Sequence, residues 1–104
     1  MVMDRMELEV ELKVDKTVTS LAGNRYGREI YRSQIKEKIR DGVVVKLQIP
    51  DQIEDVASSF IQGLFSELAE KVGKENARNM LILNSNHLEI MEKIDFVIDA
   101  YGVL

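Results

Sequence analysis

The chain has 104 residues, of which 45% are hydrophobic and 31% charged, and its formal net charge is -4; this suffices for one core, is too short for two, and argues against intrinsic disorder. Cysteine is absent and His87 is the single histidine, which removes disulfides, thiolate zinc sites, iron–sulfur clusters and a cysteine nucleophile, and leaves a transition metal mostly carboxylates to bind. The negative balance argues against broad affinity for nucleic acid or acidic membranes.

Met1 to Glu11 carries Asp4, Glu7 and Glu9, so it has neither the basic start nor the apolar run of a signal peptide. No apolar stretch approaches the ~20 residues that span a bilayer. A cytoplasmic protein without membrane contact is expected. From Met6 to Val14 apolar residues alternate with Glu7, Glu9, Glu11 and Lys13, the period of a half-buried strand. Its column of three carboxylates repels itself and suits a solvent-facing strand near a sheet edge. Asp15 and Lys16 read as a turn before the short β-prone piece Thr17 to Ser20, so an N-terminal strand or hairpin over 5–20 precedes a core over 21–104.

Gly23, Asn24 and Gly27 break the chain, and a helix is expected from near Gly27 to about Arg40, burying Tyr31, Ile35 and Ile39 and ending at Asp41-Gly42. Val43 to Ile49 is a β-branched central strand with Val43, Val45, Leu47 and Ile49 on one face, closed by Pro50. After the acidic connector Asp51 to Asp55, a helix over about Ser58 to Val72 buries Phe60, Ile61, Leu64, Phe65, Leu68 and Val72. Gly73 stops it. A polar linker through Asn79 leads to a buried strand Met80 to Leu83, and Asn84 to Asn86 caps a last helix carrying Leu88, Met91, Ile94, Ile98 and Tyr101. Strand and helix alternate along one domain spanning 1–104, which predicts an α/β fold: an open mixed sheet of about four strands with helices packed on it, mixed because an acidic first strand is expected to pair antiparallel near the N-terminus.

Two hydroxyls, Ser58 and Ser59, stand where a strand-following loop enters a helix. In open α/β sheets ligands bind on that rim, and a helix N-terminus stabilises an added phosphate. Ser59 with Gln62 three residues on also matches a capping box, which explains a serine without any further role. Glu54 and Asp55 lie beside the pair and either cap the helix or stay solvated. Arg25, Arg28, Arg32, Lys36 and Arg40 recur at steps of three or four, a helical stripe of like charge that an anion would relieve and that solvent also tolerates. Tyr26 and Tyr31 nearby either stack on bases or pack. Gly23 and Gly27 lack the Lys-Ser/Thr of a nucleotide loop. The Glu7, Glu9 and Glu11 row reads as solvated charge rather than a cation site, and no nucleophile elbow supports a triad of Ser58 with His87.

The order of these segments resembles the STAS-like domains, relatives of the sulfate-transporter and anti-sigma-factor-antagonist fold. The matching residues are Gly23-Asn24-Arg25-Tyr26-Gly27-Arg28 opening a helix, the strand Val43-Val44-Val45, Ala57-Ser58-Ser59-Phe60 running into Gly63-Leu64-Phe65, and the Lys71-Val72-Gly73 end, over roughly residues 20 to 101. In the antagonists of that fold a serine at this helix start is phosphorylated by a kinase that is also the binding partner, and Ser58 is the matching position. Ala57 and Phe60 replace the flanking aspartate and glycine, so the Ser-Ser-Phe form looks more like the STAS-like group of unassigned function.

The resemblance implies a non-enzymatic regulatory interaction module, without cofactor or metal. It would switch partners through phosphorylation of Ser58 or Ser59 and dock through Arg25, Arg28, Arg32, Lys36, Glu54, Asp55 and Gln62. The implied partner is a histidine-kinase-like ATPase or other protein kinase, and nucleic acid is not expected. The alternative from the residues themselves is an anion- or nucleic-acid-binding module built on the basic first helix.

Overall fold

The computed structural model describes residues 6–101, the side chain of Tyr101 excepted. Residue 5 of the expected N-terminal strand, the Met1–Asp4 part of the leader reading, and the Tyr101 position of the last helical stripe therefore lie outside the described residues. The elements are β1 (Met6–Glu11), β2 (Ser20–Leu21), α1 (Asn24–Ile30), β3 (Val43–Gln48), β4 (Asp55–Val56), α2 (Ser58–Val72), α3 (Lys74–Met80), β5 (Leu81–Asn84) and α4 (Leu88–Tyr101). The fold is α/β, as the alternation of patterns predicts.

The sheet is not mixed. β1, β3 and β5 form one three-stranded sheet in that order, with both pairings parallel, and β2 pairs parallel with β4 over two residues. The expected hairpin over 5–20 is absent among the described residues because β1 and β2 do not pair. The reason is connectivity: α1 lies between β1 and β3, and a helical crossover returns the chain to pair parallel. The Asp15 turn does form, its carboxylate accepting the Thr17 N–H (2.9 Å) and hydroxyl (2.7 Å). It leads across the sheet end to β2, and Gln52 fastens it by donating to the carbonyls of Asp15 and Val18.

Side chains of alternate residues divide the sheet into two unlike faces. Val45, Leu47, Leu81 and Leu83 face a single core to which α1, α2, α3 and α4 all contribute, through Ile30, Phe65, Ala77 and Ile94 among others. On the other face Glu9 is level with Lys46 and Ile82, and Glu11 with Gln48 and Asn84. Ile82 there is 40% exposed. The expected uniformly buried strand Met80 to Leu83 thus alternates, with Leu81 and Leu83 in and Ile82 and Asn84 out.

Helix boundaries follow the glycines more closely than the apolar pattern does. α1 starts at Asn24 instead of Gly27, because Gly23 adopts φ 100, a conformation that side chains resist, and turns the chain into the helix. Helical winding continues as a π turn over Tyr31–Ile35 and a tighter 3-10 turn over Lys36–Lys38, so it ends two residues before Arg40. Tyr31 and Ile35 are buried as predicted and Ile39 partly so. α2 has the predicted span. The segment after Gly73 is a helix, α3, and not a polar linker; its only buried side chain, Ala77, is too small to produce an apolar stripe.

α4 buries Ile90, Ile94 and Val97 and leaves Leu88 72% exposed, so its inner face is rotated from the expected stripe, in which Ile94 is the one fully buried member among the described side chains. Its start is not capped by Asn84 to Asn86 as a group. Asn84 belongs to β5, Ser85 Oγ accepts the His87 N–H (3.0 Å), and Asn86 donates to the Asp51 carboxylate (2.8 Å). No helix among the described residues is long and apolar enough to cross a membrane.

Candidate functional site: the joined entrance of α1 and α2

α2 packs on α1 with almost nothing between the two backbones. A Cβ placed on Gly27 would sit 2.7 Å from Leu64 N and nearer still to Phe60 O, and one on Gly63 would sit 2.8 Å from Asn24 C and nearer to Asn24 O. Both glycines are therefore required by close approach, and the chain break read at Gly27 is an interhelical contact instead. The two starting turns are tied together. The backbone N–H of Gly23 donates to Ser59 Oγ (3.0 Å), and the N–H of Ala57 donates to the carbonyl of Leu21 (2.8 Å).

This geometry corrects the capping box. Ala57 is the N-cap of α2, with extended backbone and no side-chain cap bond. Ser59 lies in the first turn and turns its hydroxyl onto the neighbouring helix start. Ser58, one residue earlier, is partly exposed. Gln62 is also partly exposed on the following turn. Phe60 is 1% exposed and meets the Tyr26 ring at 5.6 Å with planes tilted by 53°. Tyr26 is thus a packing residue. Tyr31 is buried as well, and its phenol is pushed above its usual range first by desolvation and second by the Glu67 carboxylate.

The basic stripe is not free along its length. Glu67, on the face of α2 toward α1, receives Arg32 Nε at 2.9 Å and Lys36 Nζ at 2.6 Å. This pairing holds the Glu67 carboxyl below its ordinary 4.5, chiefly through the Lys36 hydrogen bond and then that from Arg32. Arg28 Nε donates to Asn24 Oδ1 (2.9 Å), and Arg25 approaches Glu29 at 3.6 Å with its side chain 94% exposed. Arg40 lies beyond the helical turns. Among the described residues Arg25 and Arg28 therefore pair only within α1, while Arg32 and Lys36 brace the turns that follow α1 on α2.

A depressed carboxyl pKa contributes stability that is complete above the unfolded value and disappears as pH falls through the folded one. Glu67→Gln is expected to lower stability at pH 7 by about 1 kcal/mol, the scale of a partly exposed pair. It should also flatten the loss of melting temperature expected of the wild type between about pH 5 and pH 3. Melting curves across that range check this, and identical acid limbs would remove the bracing role.

The acidic pair divides. Asp55 receives Lys93 of α4 at 2.7 Å, which lowers its carboxyl pKa, and so it anchors β4 to α4; Glu54 is exposed, its backbone N–H held by the Thr19 carbonyl. Neither caps α2. His87 turns Nε2 to the Asp51 carbonyl at 2.7 Å, a bond that pins the β3–β4 connector to the start of α4. No group of three or more His, Cys, Asp or Glu residues arranged to hold a metal occurs among the described residues.

Ser58, Ser59 and Gln62 thus lie on the first turns of α2 and Arg25 and Arg28 on α1, whose start the Ser59 bond ties to α2, while Arg32, Lys36 and Asp55 are held by partners elsewhere. Glu67 and Lys93 escape a sequence reading, and so does the contact that Gly63 makes. Of these only Gly63 had a signal, as a glycine within a strong helical pattern, which costs about 1 kcal/mol against alanine unless something must come close. Comparisons of the chain with protein-family models, curated proteins and solved structures give no match.

Proposed function

We propose that the chain is a non-enzymatic regulatory interaction module of the cytoplasm, STAS-like in kind, which docks the α1/α2 entrance onto a partner protein and is switched by phosphorylation of Ser58. The partner on this reading is a histidine-kinase-like ATPase or another protein kinase, as for the anti-sigma-factor antagonists that the chain resembles. The observation that carries the reading is the unequal use of two partly exposed hydroxyls on the first turn of a 15-residue helix: Ser59 Oγ accepts the Gly23 N–H, whereas the Ser58 hydroxyl has no hydrogen-bond partner among the described residues.

A phosphate on Ser58 would add about -1.5 to -2 charges beside the unbonded N–H groups of that turn, where the helix dipole favours it. A phosphate on Ser59 would displace the bond that ties the two helix starts. Charge at Ser58 would therefore alter the docking surface while leaving the fold in place, which is what a partner switch requires. Arg25 and Arg28, on the adjoining helix, supply the positive flank of that surface.

Incubation with kinase-like ATPases and mapping of phosphate by mass spectrometry tests the proposal. Labelling is expected in wild type and in Ser59→Ala, and not in Ser58→Ala. Ser58→Asp is expected to change partner affinity at least about tenfold with an unaltered melting temperature. Ser59→Ala should instead lose about 1 kcal/mol of stability. Equal partner binding by wild type, Ser58→Ala and Ser58→Asp would remove the switch.

A further inference from the structure

The edge of the three-stranded sheet carries its own instructions. Met6 N–H donates to the Gly42 carbonyl and Leu12 N–H to the Gln48 carbonyl, both at 2.9 Å. Residues in a parallel ladder alternate between those that bond the neighbour and those that point away. The even-numbered residues of β1 therefore bond toward β3, and the N–H and C=O groups of Glu7, Glu9 and Glu11 point out from the sheet. No strand lies beyond β1 among the described residues.

The two sides of this edge differ in chemistry. On the open sheet face stand the carboxylates of Glu7, Glu9 and Glu11; Lys46 reaches Glu7 at 3.2 Å and leaves Glu9 and Glu11 without an ion pair among the described residues. On the opposite side Met6 is 67% and Leu8 38% exposed. They border a trough of about 590 Å³ completed by Glu37, Lys38, Arg40 and Val43. Apolar β1 side chains are therefore uncovered on the side where a neighbouring strand would bury them.

We propose that β1 is a strand-addition site for an extended segment of a partner protein in which Lys or Arg alternates with apolar β-forming residues. Such a segment would bond the outward groups of Glu7, Glu9 and Glu11. Its cations would fall beside Glu9 and Glu11 and its apolar residues beside Met6 and Leu8. A second copy of this chain is a poor occupant, because β1 against β1 sets one row of carboxylates beside another. The site is separate from the α1/α2 entrance and does not depend on Ser58.

The probe is a blocked eight-residue peptide of alternating Lys and Val, titrated into the full, isotope-labelled chain. At saturation, amide exchange at Glu7, Glu9 and Glu11 is expected to slow at least about tenfold, with Leu8 and Val10 unchanged because their N–H groups already face β3. Two versions N-methylated on alternate residues should behave oppositely, one abolishing the protection and one retaining it. The double variant Glu9→Lys/Glu11→Lys should weaken binding at least about tenfold with an unchanged melting temperature. Equal effects of the two methylated peptides, or the same response to octalysine, would overturn the proposal in favour of diffuse charge attraction. Protection of the three glutamate amides that rises with protein concentration alone would overturn it in favour of self-pairing.

Discussion

Gly63→Ala is expected to destabilise the fold by about 3 kcal/mol and to lower the melting temperature by roughly 15 °C. The added methyl would press on backbone atoms of Asn24, which cannot rotate away as a side chain can. The helices must then separate, which opens the contact between them. Gly27→Ala should cost a similar amount. Because either methyl alone forces the separation, the double variant should lose much less than the sum, and a double-mutant cycle by denaturant unfolding measures that shortfall. Gly42→Ala is a useful contrast. No atom lies within 4 Å of a Cβ there, and the residue adopts φ 80 in an exposed turn, so only about 1 kcal/mol of backbone strain is expected. Additive losses for Gly27 and Gly63 would contradict the backbone-to-backbone contact.

Phe60→Ala carries an effect of the same order. Phe60 is 1% exposed beneath the α2 start, and its truncation leaves a cavity and removes the support of the Tyr26 ring. A loss of 3 to 5 kcal/mol is expected from such truncations, against about 1 kcal/mol for Phe60→Leu, which keeps most of the volume. Urea midpoints for the two variants and wild type decide this. The result also bears on the site, since a loosened first turn should reduce partner binding even with Ser58 intact.

What the amino-acid order reveals and what it hides divide along sequence distance. α2 was legible because Phe60, Ile61, Leu64, Phe65, Leu68 and Val72 repeat at helical spacing between Ala57 and Gly73; the structure buries the first five and Val72 only partly. β3 was legible through its β-branched run and Pro50. The edge position of β1 followed from its carboxylate row, but not its direction, which depends on how the chain returns from α1. α3 was hidden because Ala77 is its only buried residue. α4 has apolar residues on more than one face, and the choice among them rests on β4, β5 and α2, against which it packs.

At the entrance, the serines and arginines were visible as residue types. Their inequality was not. It arises from bonds to Gly23, 36 residues from Ser59, and to Glu67, 35 residues from Arg32, pairs that no local pattern links. The π turn over Tyr31–Ile35 likewise has no signature in composition, although it lies in the stretch that carries Arg32.

The glycine contact also bears on mechanics. With no compressible side chains between Gly27 and Gly63, α1 and α2 have little slack at their crossing, and Glu67 fastens Arg32 and Lys36 further along the pair. The two helices are expected to move as one unit, α1 carried on the longer α2. A displacement of either helix start is therefore expected to carry the other with it, because no side chain separates the backbones where they cross.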